Sequence, residues 1–218
     1  MATNRNGYLG PFSGKLGPAM GSVWRGIQVI KTLPAPSNKP PTAKQLDQHA
    51  KFGLVTDFLG KLSSYIKRGF QSYTMGVTPM NVAVKYHLEK AVSGVYPLYE
   101  INYPNVLLTD PNSDGIDELL NPVLTALPMH KIKIDWDTEN FRPETKATDK
   151  LTVVFYSEAK DVIMGTALTP ARTDKTMTFT SSRQFAAAPV HGWGFFVSDD
   201  GKIVSPTVYL GSIQTIDA

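Results

Sequence analysis

From Gly94 onward, apolar and polar side chains alternate in seven short runs that clusters of Asn, Asp, Gly and Pro separate. Successive side chains of a β-strand point to opposite faces, so this period of two predicts strands. Short strands with turn residues between them are typical of an immunoglobulin-like β-sandwich. The predicted strands are Tyr99–Leu108, Lys131–Trp136, Leu151–Ser157, Val162–Leu168, Thr176–Ser181, Gly192–Ser198 and Ile203–Leu210.

Residues 42–94 have a different period, because their apolar side chains recur three or four positions apart, as in an amphipathic helix. Thr42 is a good N-cap and predicts a helix over 43–70. Thr78, which a proline follows, predicts a second helix over 80–92, so the two should form a hairpin. Close approach of another backbone would compensate for the glycines inside the first helix, which are Gly53, Gly60 and Gly69.

The first 41 residues place a glycine every three to five positions as far as Gly26, with single apolar side chains between them. Repeated glycines are expected where the backbone bends or another chain approaches closely. The residues alternate from Ser22 to Leu33, which predicts one strand, and a proline-rich strap follows. Fully extended, twenty-seven residues of this segment would reach on the order of 90 Å at about 3.3 Å per residue, well beyond one small domain.

These patterns predict a mainly β protein with a helical hairpin, an α+β architecture in three segments. Residues 1–41 form a glycine-rich N-terminal β arm and proline strap, residues 42–94 the two helices, and residues 95–218 the C-terminal immunoglobulin-like β-sandwich. The arm is too rich in glycine to form its own core, yet too apolar to be a solvated tail. We therefore expect it to be buried against its own chain or against a neighbouring subunit.

Charge is distributed unevenly along the chain. Residues 1–75 carry ten Lys and Arg against two Asp, a net charge of +8, whereas the remainder carries twelve basic against seventeen acidic residues, or −5. A basic front half would favour contact with the acidic back half of a neighbour; a solvated helix face together with a basic arm also explains the asymmetry. The basic residues are spread singly, so we expect no nucleic-acid partner.

The chain contains no cysteine, which excludes disulfides, thiolate metal sites and cysteine nucleophiles. It has no N-terminal apolar run of signal-peptide length and no apolar stretch of about 18 residues, so we expect neither Sec export nor membrane insertion. We expect synthesis in the cytoplasm, for use there or in a virion-like or extracellular assembly.

Residues that could carry chemistry lack the partners that the chemistry needs. Asp110, Asn112 and Asp114 match the first half of a calcium-binding loop, but Asn121 stands in place of the bidentate glutamate. A polar turn explains the same residues, so calcium binding stays open at this stage. We expect no catalytic residue, no cofactor and no enzyme activity, because the Gly-x-Ser-x-Gly motif does not occur and no motif partner accompanies His49, His87, His130 and His191.

Residues Gly7 to Pro34 follow the pattern GxxGxFSGKxGxxxGSxWxGxxVIKxLP, and PSNKPPTAKQLDQHAKFGLVTDFL runs from Pro36 to Leu59. On these motifs the N-terminal part of the chain resembles a family of uncharacterised proteins of Bacteroidota. The strap with proline, threonine and glutamine is similar to segments of phage-associated proteins of unknown role. The resemblance implies no activity and assigns no functional residue.

These observations favour a non-enzymatic structural subunit that self-assembles, in a filament, an appendage or a virion-like particle. Its partners would be copies of itself in head-to-tail order, because an arm that reaches a different surface of the next copy makes a heterologous contact. The candidate assembly interface is Tyr8, Phe12, Trp24, Ile27 and Ile30. The alternative is a monomeric adhesion or carbohydrate-binding module, in which a ligand would stack on rings that would otherwise form the sandwich core, such as Tyr99, Tyr103, Trp136 and Trp193.

Overall fold

A computed structural model of the chain describes residues 3–4, 10, 12–24, 26–33, 39–73, 76–113, 115–139, 142–166, 169–182, 185 and 188–216. The described strands are, in chain order, β1 (Thr3–Asn4), β2 (Phe12–Leu16), β3 (Ala19–Trp24), β4 (Ile27–Thr32), β5 (Val92–Val95), β6 (Leu98–Ile101), β7 (Leu120–Leu127), β8 (Lys131–Asp137), β9 (Lys150–Ser157), β10 (Val162–Thr166), β11 (Thr176–Thr180), β12 (Pro189–Val197) and β13 (Val208–Gln214). The described α-helices are α1 (Ala43–Lys61), α2 (Ser63–Gly69) and α3 (Pro79–Lys90).

The N-terminal segment folds back on itself as an antiparallel meander with the strand order β1-β2-β3-β4. The single strand predicted over Ser22–Leu33 is therefore wrong, because the chain reverses between β3 and β4. Gly26 has a φ of +82° in that turn, and Gly17 has a φ of +57° in the turn before it, a region that favours glycine. Within the described residues the segment is therefore folded rather than fully extended, since each of its strands of five or six residues spans only about 20 Å; most of the predicted proline strap lies outside the described residues.

Both predicted helix starts are confirmed by their capping bonds. The Gln45 N–H donates to the Thr42 hydroxyl at 3.3 Å, and the Gln45 side chain accepts from the Thr42 N–H at 2.8 Å, which completes a capping box. At the start of α3, the Asn81 N–H donates to the Thr78 hydroxyl at 3.1 Å, and Pro79 occupies the first helical position.

The helix predicted over 43–70 is divided in two at Leu62. The Leu62 N–H donates to the Leu59 carbonyl at 3.0 Å, a bond one residue shorter than the α-helical bond, so α1 ends at Lys61 and α2 begins at Ser63. Both parts bury apolar side chains in one core, which contains Phe58 and Leu59 of α1, Ile66 of α2, and Phe70 directly after α2.

Seven strands form the immunoglobulin-like sandwich, as two antiparallel sheets with the orders β11-β8-β7 and β10-β9-β12-β13. Strand β7 is not among the predicted strands, because its Asn-Pro pair resembles a turn; a bulge between Leu120 and Val123 accommodates that pair. The strand predicted over Tyr99–Leu108 is wrong beyond Ile101, where β6 ends. The strand predicted from Ile203 begins only at Val208, as β13. A proline lies in each of the two rejected stretches and removes the N–H that pairing would need.

Strands β9 and β12 are buried on both faces, so the molecule has three layers. One face of the four-stranded sheet packs against the helices through Val154, Tyr156, Trp193, Phe195 and Val197. Its other face packs against the three-stranded sheet, through a second core that includes Ile132, Ile134, Trp136, Leu151, Val153, Phe155 and Phe196.

Candidate assembly surface

The N-terminal sheet leaves most of its large apolar side chains in contact with solvent. Every residue of β4 is exposed, and the exposed fraction reaches 58% for Ile30 and 61% for Leu16 of β2. Apolar side chains that are exposed together on one small sheet indicate an interaction site. The other large apolar residues exposed on this sheet or just after it are Val23, Trp24, Ile27, Val29 and Leu33.

Strand register divides the predicted interface residues between two faces of this sheet. Trp24 pairs directly with Ile27 across the β3-β4 turn, so these two side chains share a face. Ile30 pairs with Gly21 on the opposite face. The Phe12 ring covers Gly21, where a side chain would collide with it, so Phe12 belongs to the face of Ile30.

The sheet has one basic end and one unpaired edge within the described residues. Lys15 and Lys31 both pair with Met20, which lies four residues before Trp24 on β3. The two lysine side chains are therefore on the same face of the sheet as Trp24, at the opposite end of β3. Residues 1–41 contain no Asp or Glu. In the part of the chain that the structure describes, β4 pairs with β3 alone, so its outer edge presents backbone donors and acceptors. Tyr8 lies outside the described residues.

Two tryptophans of the proposed ligand-binding alternative are core residues. Trp136 and Trp193 are buried, the first between the two sheets and the second beneath the helices. Each indole N–H donates to a backbone carbonyl, Trp136 to that of Arg172 at 3.0 Å and Trp193 to that of Tyr103 at 3.1 Å. These two rings cannot stack on a ligand unless the core opens.

The two tyrosines of that alternative are also engaged within the chain. Tyr103 stacks on His191, with 4.0 Å between the ring centroids. Tyr99 donates its hydroxyl to Asp47, and the Lys51 ammonium lies 4.9 Å from its ring centroid. The surface for ligand stacking that the alternative requires is therefore not formed by these four residues.

A cleft of about 320 Å³ between α1, β6 and the turn after β9 gathers several ionisable groups. Asp161 accepts from the Lys61 ammonium at 2.6 Å and from the Tyr156 hydroxyl at 3.0 Å, and these bonds lower the pKa of its carboxyl. Burial raises the pKa of Tyr156 to about 12 and raises the pKa of Tyr103 well above its usual range. Neither tyrosine forms a phenolate at neutral pH, so these bonds act as a link between α1 and the sandwich.

The four histidines lie on separate elements. His49 is on α1, His87 on α3, His130 in the turn between β7 and β8, and His191 on β12. The Nδ1 atom of His191 lies 2.7 Å from the Tyr209 hydroxyl oxygen, and burial lowers the pKa of His191. This pair lies between adjacent strands, where it joins β12 to β13.

The described part of the possible calcium loop is a turn that satisfies its own polar groups. Asp110 Oδ1 accepts from the Asn112 N–H at 3.0 Å and from its side-chain amide at 3.3 Å, and the Ser113 hydroxyl donates to the Val204 carbonyl. Asp114 lies outside the described residues. The first two template positions therefore bond to each other, as in an Asx turn.

Within the described ranges, no helix is long and apolar enough to cross a membrane. The described His, Asp and Glu residues also include no group of three that could hold a metal ion.

Over the described residues, the fold and these surfaces define a seven-stranded β-sandwich protein with a helical layer and an exposed N-terminal sheet. The chain belongs to the family of unknown function DUF6266, whose sequence model matches residues 11–211. No match to it is found among curated proteins.

Solved structures similar to the chain include fibronectin type III domains. The fn3 domain of the human collagen α-1(XX) chain is 12% identical, with a TM-score of 0.37 over 50% of this chain and 93% of that one. A domain of human fibronectin type III domain containing protein 3 is 15% identical, with a TM-score of 0.35 over 50% and 94% of the two chains. The two sheets and their shared core define the sandwich independently of these similarities.

Proposed function

We propose that this protein is a non-enzymatic structural subunit that self-assembles by docking its N-terminal sheet on a neighbouring copy. The observation that carries the proposal is that every residue of β4 is exposed, and that its six residues include three large apolar side chains. Solvation of such a strand is unfavourable, and a second copy that covers it would remove apolar area from water.

The edge of β4 supports the same proposal through its backbone. An exposed, flat, apolar edge strand is a template for pairing with another chain, and natural proteins usually block such edges with charges, prolines or bulges. Lys31 is the only charged residue of β4. Strand addition would supply main-chain hydrogen bonds, and the side chains of Ile30 or Trp24 would supply specificity.

Charge favours a different surface of the neighbour as the acceptor. The described sheet carries Lys15 and Lys31 and no acidic residue, whereas residues 76–218 carry a net charge of −5. Contact between unlike surfaces is heterologous and propagates into a polymer unless the rotation closes a ring. The expected product is therefore a head-to-tail oligomer.

The assembly is tested by placing a charge on the open face of the sheet. Ile27 lies beside the loop before α3, near Gly76, whereas Ile30 is on the opposite face, so Ile30→Lys is the variant of choice. We expect its association, measured by sedimentation over a concentration series, to weaken at least about tenfold, since burial of an isoleucine contributes roughly 1.5–3 kcal/mol.

The matched control is Val123→Lys on β7, a residue that is 56% exposed on the sandwich. It should associate as the unaltered chain does, and circular dichroism should show that both variants keep their fold. An unaltered chain that stays monomeric throughout the series, or equal weakening by both variants, would refute assembly through the N-terminal sheet.

A further inference from the structure

The hairpin β5-β6 carries a second exposed apolar surface, far along the chain from the N-terminal sheet. Val95 and Leu98 form the last pair before its turn, and each is 77% exposed; Tyr96 in the turn is about half exposed. Register places Val95, Leu98 and Glu100 on one face of the hairpin, since paired residues and alternate positions share a face. We call these three residues the hairpin knob.

The hairpin holds the knob in a fixed position. Val92 and Ile101, on the other face, pack against the core beneath the helices. The Asn102 N–H donates to the Ala91 carbonyl at 2.8 Å at the base, and the Tyr99 hydroxyl donates to Asp47 of α1. A preorganised apolar projection loses little conformational entropy when it docks.

A groove of about 520 Å³ with mainly apolar walls lies at the opposite end of the helical layer. We call it the α2-α3 groove. Among the described residues that line it, Lys67 is the only charged one, and Arg68 is its neighbour in sequence on α2. The lining residues are Ser63, Ile66, Lys67, Gln71, Tyr73, Thr78, Pro79 and Met80.

The hairpin knob and the α2-α3 groove are complementary in charge as well as in polarity. Glu100 is the only charged residue of the hairpin from Val92 to Ile101, and it lies on the apolar face that the knob presents. Docking that face into the groove would bring Glu100 towards Lys67 while the apolar side chains displace water. The N-terminal sheet of the same chain already approaches the loop before α3, where Ile27 lies near Gly76, and its lysines have the same sign as Lys67.

The knob of one chain does not reach the groove of the same chain. The groove contains the first residues of α3, whereas the hairpin begins directly after its last turn. A helix of 12 residues is about 18 Å long, so the two surfaces are separated by the length of α3. A groove that receives the knob therefore belongs to another copy.

We propose that the hairpin knob of one copy docks in the α2-α3 groove of a second copy. An apolar projection at one end of a subunit and a matching pocket at the other end make a heterologous contact that repeats along a filament or closes into a ring. This contact does not rest on the N-terminal sheet, and it gives each subunit a second pair of complementary surfaces.

Cysteine cross-linking tests the contact cleanly, because the full-length chain has no cysteine of its own. We would mix a Ser63→Cys chain with a mass-tagged Leu98→Cys chain under mild oxidation and measure the heterodimer by mass. Disulfides require Cβ atoms about 3.5–4.5 Å apart, so efficient cross-linking reports direct proximity. The expected yield is at least about tenfold above that of Ser63→Cys mixed with Val123→Cys, an exposed position on β7.

A third mixture tests whether the N-terminal sheet, rather than the hairpin knob, docks in the α2-α3 groove. Preferential cross-linking of Ser63→Cys with Ile30→Cys would place the N-terminal sheet in the groove and overturn the proposal. A Leu98→Cys yield at the level of the Val123→Cys control would also overturn it.

Charge exchange supplies an independent readout by sedimentation. Glu100→Lys and Lys67→Glu should each weaken association of the full-length chain, and an equimolar mixture of the two variants should form heterodimers better than either variant associates alone. Weakening without recovery in the mixture would contradict the pairing of these two residues. Ile30→Lys leaves both knob and groove intact, so loss of the sheet contact and loss of this contact are separately visible.

Discussion

His87 shows how a polar side chain is accommodated in the apolar core beneath α3. It is fully buried, and the Leu107 N–H donates to its Nε2 at 3.2 Å. Nε2 is therefore unprotonated, and Nδ1 donates to the Ala83 carbonyl at 2.7 Å. Burial lowers the pKa of His87, because the charged ring would lose its hydration and oppose the Leu107 N–H.

This residue makes stability depend on pH in a predictable direction. The unfolded chain takes up a proton near pH 6.5, whereas folded His87 takes it up only at a lower pH, so the free energy of unfolding falls as the pH drops below 6.5. Each such histidine contributes up to about 1.4 kcal/mol per pH unit. The slope between pH 7 and 5, measured by urea unfolding, should fall by about half in His87→Gln, since His191 also has a lowered pKa. An unchanged slope would show that the pKa of His87 is not lowered in the fold.

At the scale of elements, one helical glycine is required by packing and another is not. A Cβ on Gly69, in the last turn of α2, would overlap the carbonyl of Leu108, and the Asp110 N–H donates to the Gly69 carbonyl at 3.1 Å. A Cβ on Gly60 of α1 would meet open space. The close approach that the helical glycines suggest in the sequence is thus realised at Gly69 alone among the three.

Alanine substitutions at these two positions should have opposite signs. Gly69→Ala should lower the free energy of unfolding by about 1–3 kcal/mol, because the loop around Leu108 must move away. Gly60→Ala should raise it by about 0.5–1 kcal/mol, because alanine loses less backbone entropy in a helix. Denaturant unfolding measures both, and a Gly69→Ala chain as stable as the original would show that the two segments are not in contact.

At the scale of the whole molecule, Arg172 links the two sheets of the sandwich. The side chain is buried, and its guanidinium carbon lies 3.8 Å from the ring centroid of Phe196 in β12. It donates to the Asp117 carbonyl at 2.6 Å, and its Nε lies 3.6 Å from the fully buried Asp149 carboxylate. Burial raises the pKa of Asp149 and lowers that of Arg172, because both charges have left water.

Removal of one partner from this pair should cost more than removal of both. Asp149→Leu should lower the free energy of unfolding by about 3–5 kcal/mol, since it leaves a buried guanidinium without its counter-charge. The double variant Asp149→Leu with Arg172→Met should recover most of that loss. Urea unfolding of the singles and the double forms the cycle, and additive losses would mean that the two charges do not interact.

The two exposed surfaces also belong to the scale of the whole molecule, because each is formed by more than one strand and each would contact another copy of the chain. The N-terminal sheet and the hairpin knob both present apolar side chains away from the three packed layers. If both dock on neighbours, loss of one contact should leave shorter oligomers, and loss of both should leave monomers.

The sequence by itself determined the features that depend on near neighbours. Thr42 and Thr78 cap their helices because the capping bond reaches only three residues, and the alternation of Leu151–Ser157 predicts a strand because its period is local. Where a local signal was ambiguous, the prediction failed: Arg25-Gly26 reads equally as part of a strand or as a turn, and only the pairing of β3 with β4 decides.

The tertiary structure decided which apolar side chains remain in water. Trp193 lies within a predicted strand and Leu98 directly precedes one. Trp193 is nevertheless buried beneath the helices, whereas Leu98 is 77% exposed. Burial depends on which layers cover a face, and that coverage is set by residues far apart in the chain. The candidate surface could therefore be placed in the N-terminal segment from its composition, whereas its two faces, its open edge and the hairpin knob follow from strand register and layer packing.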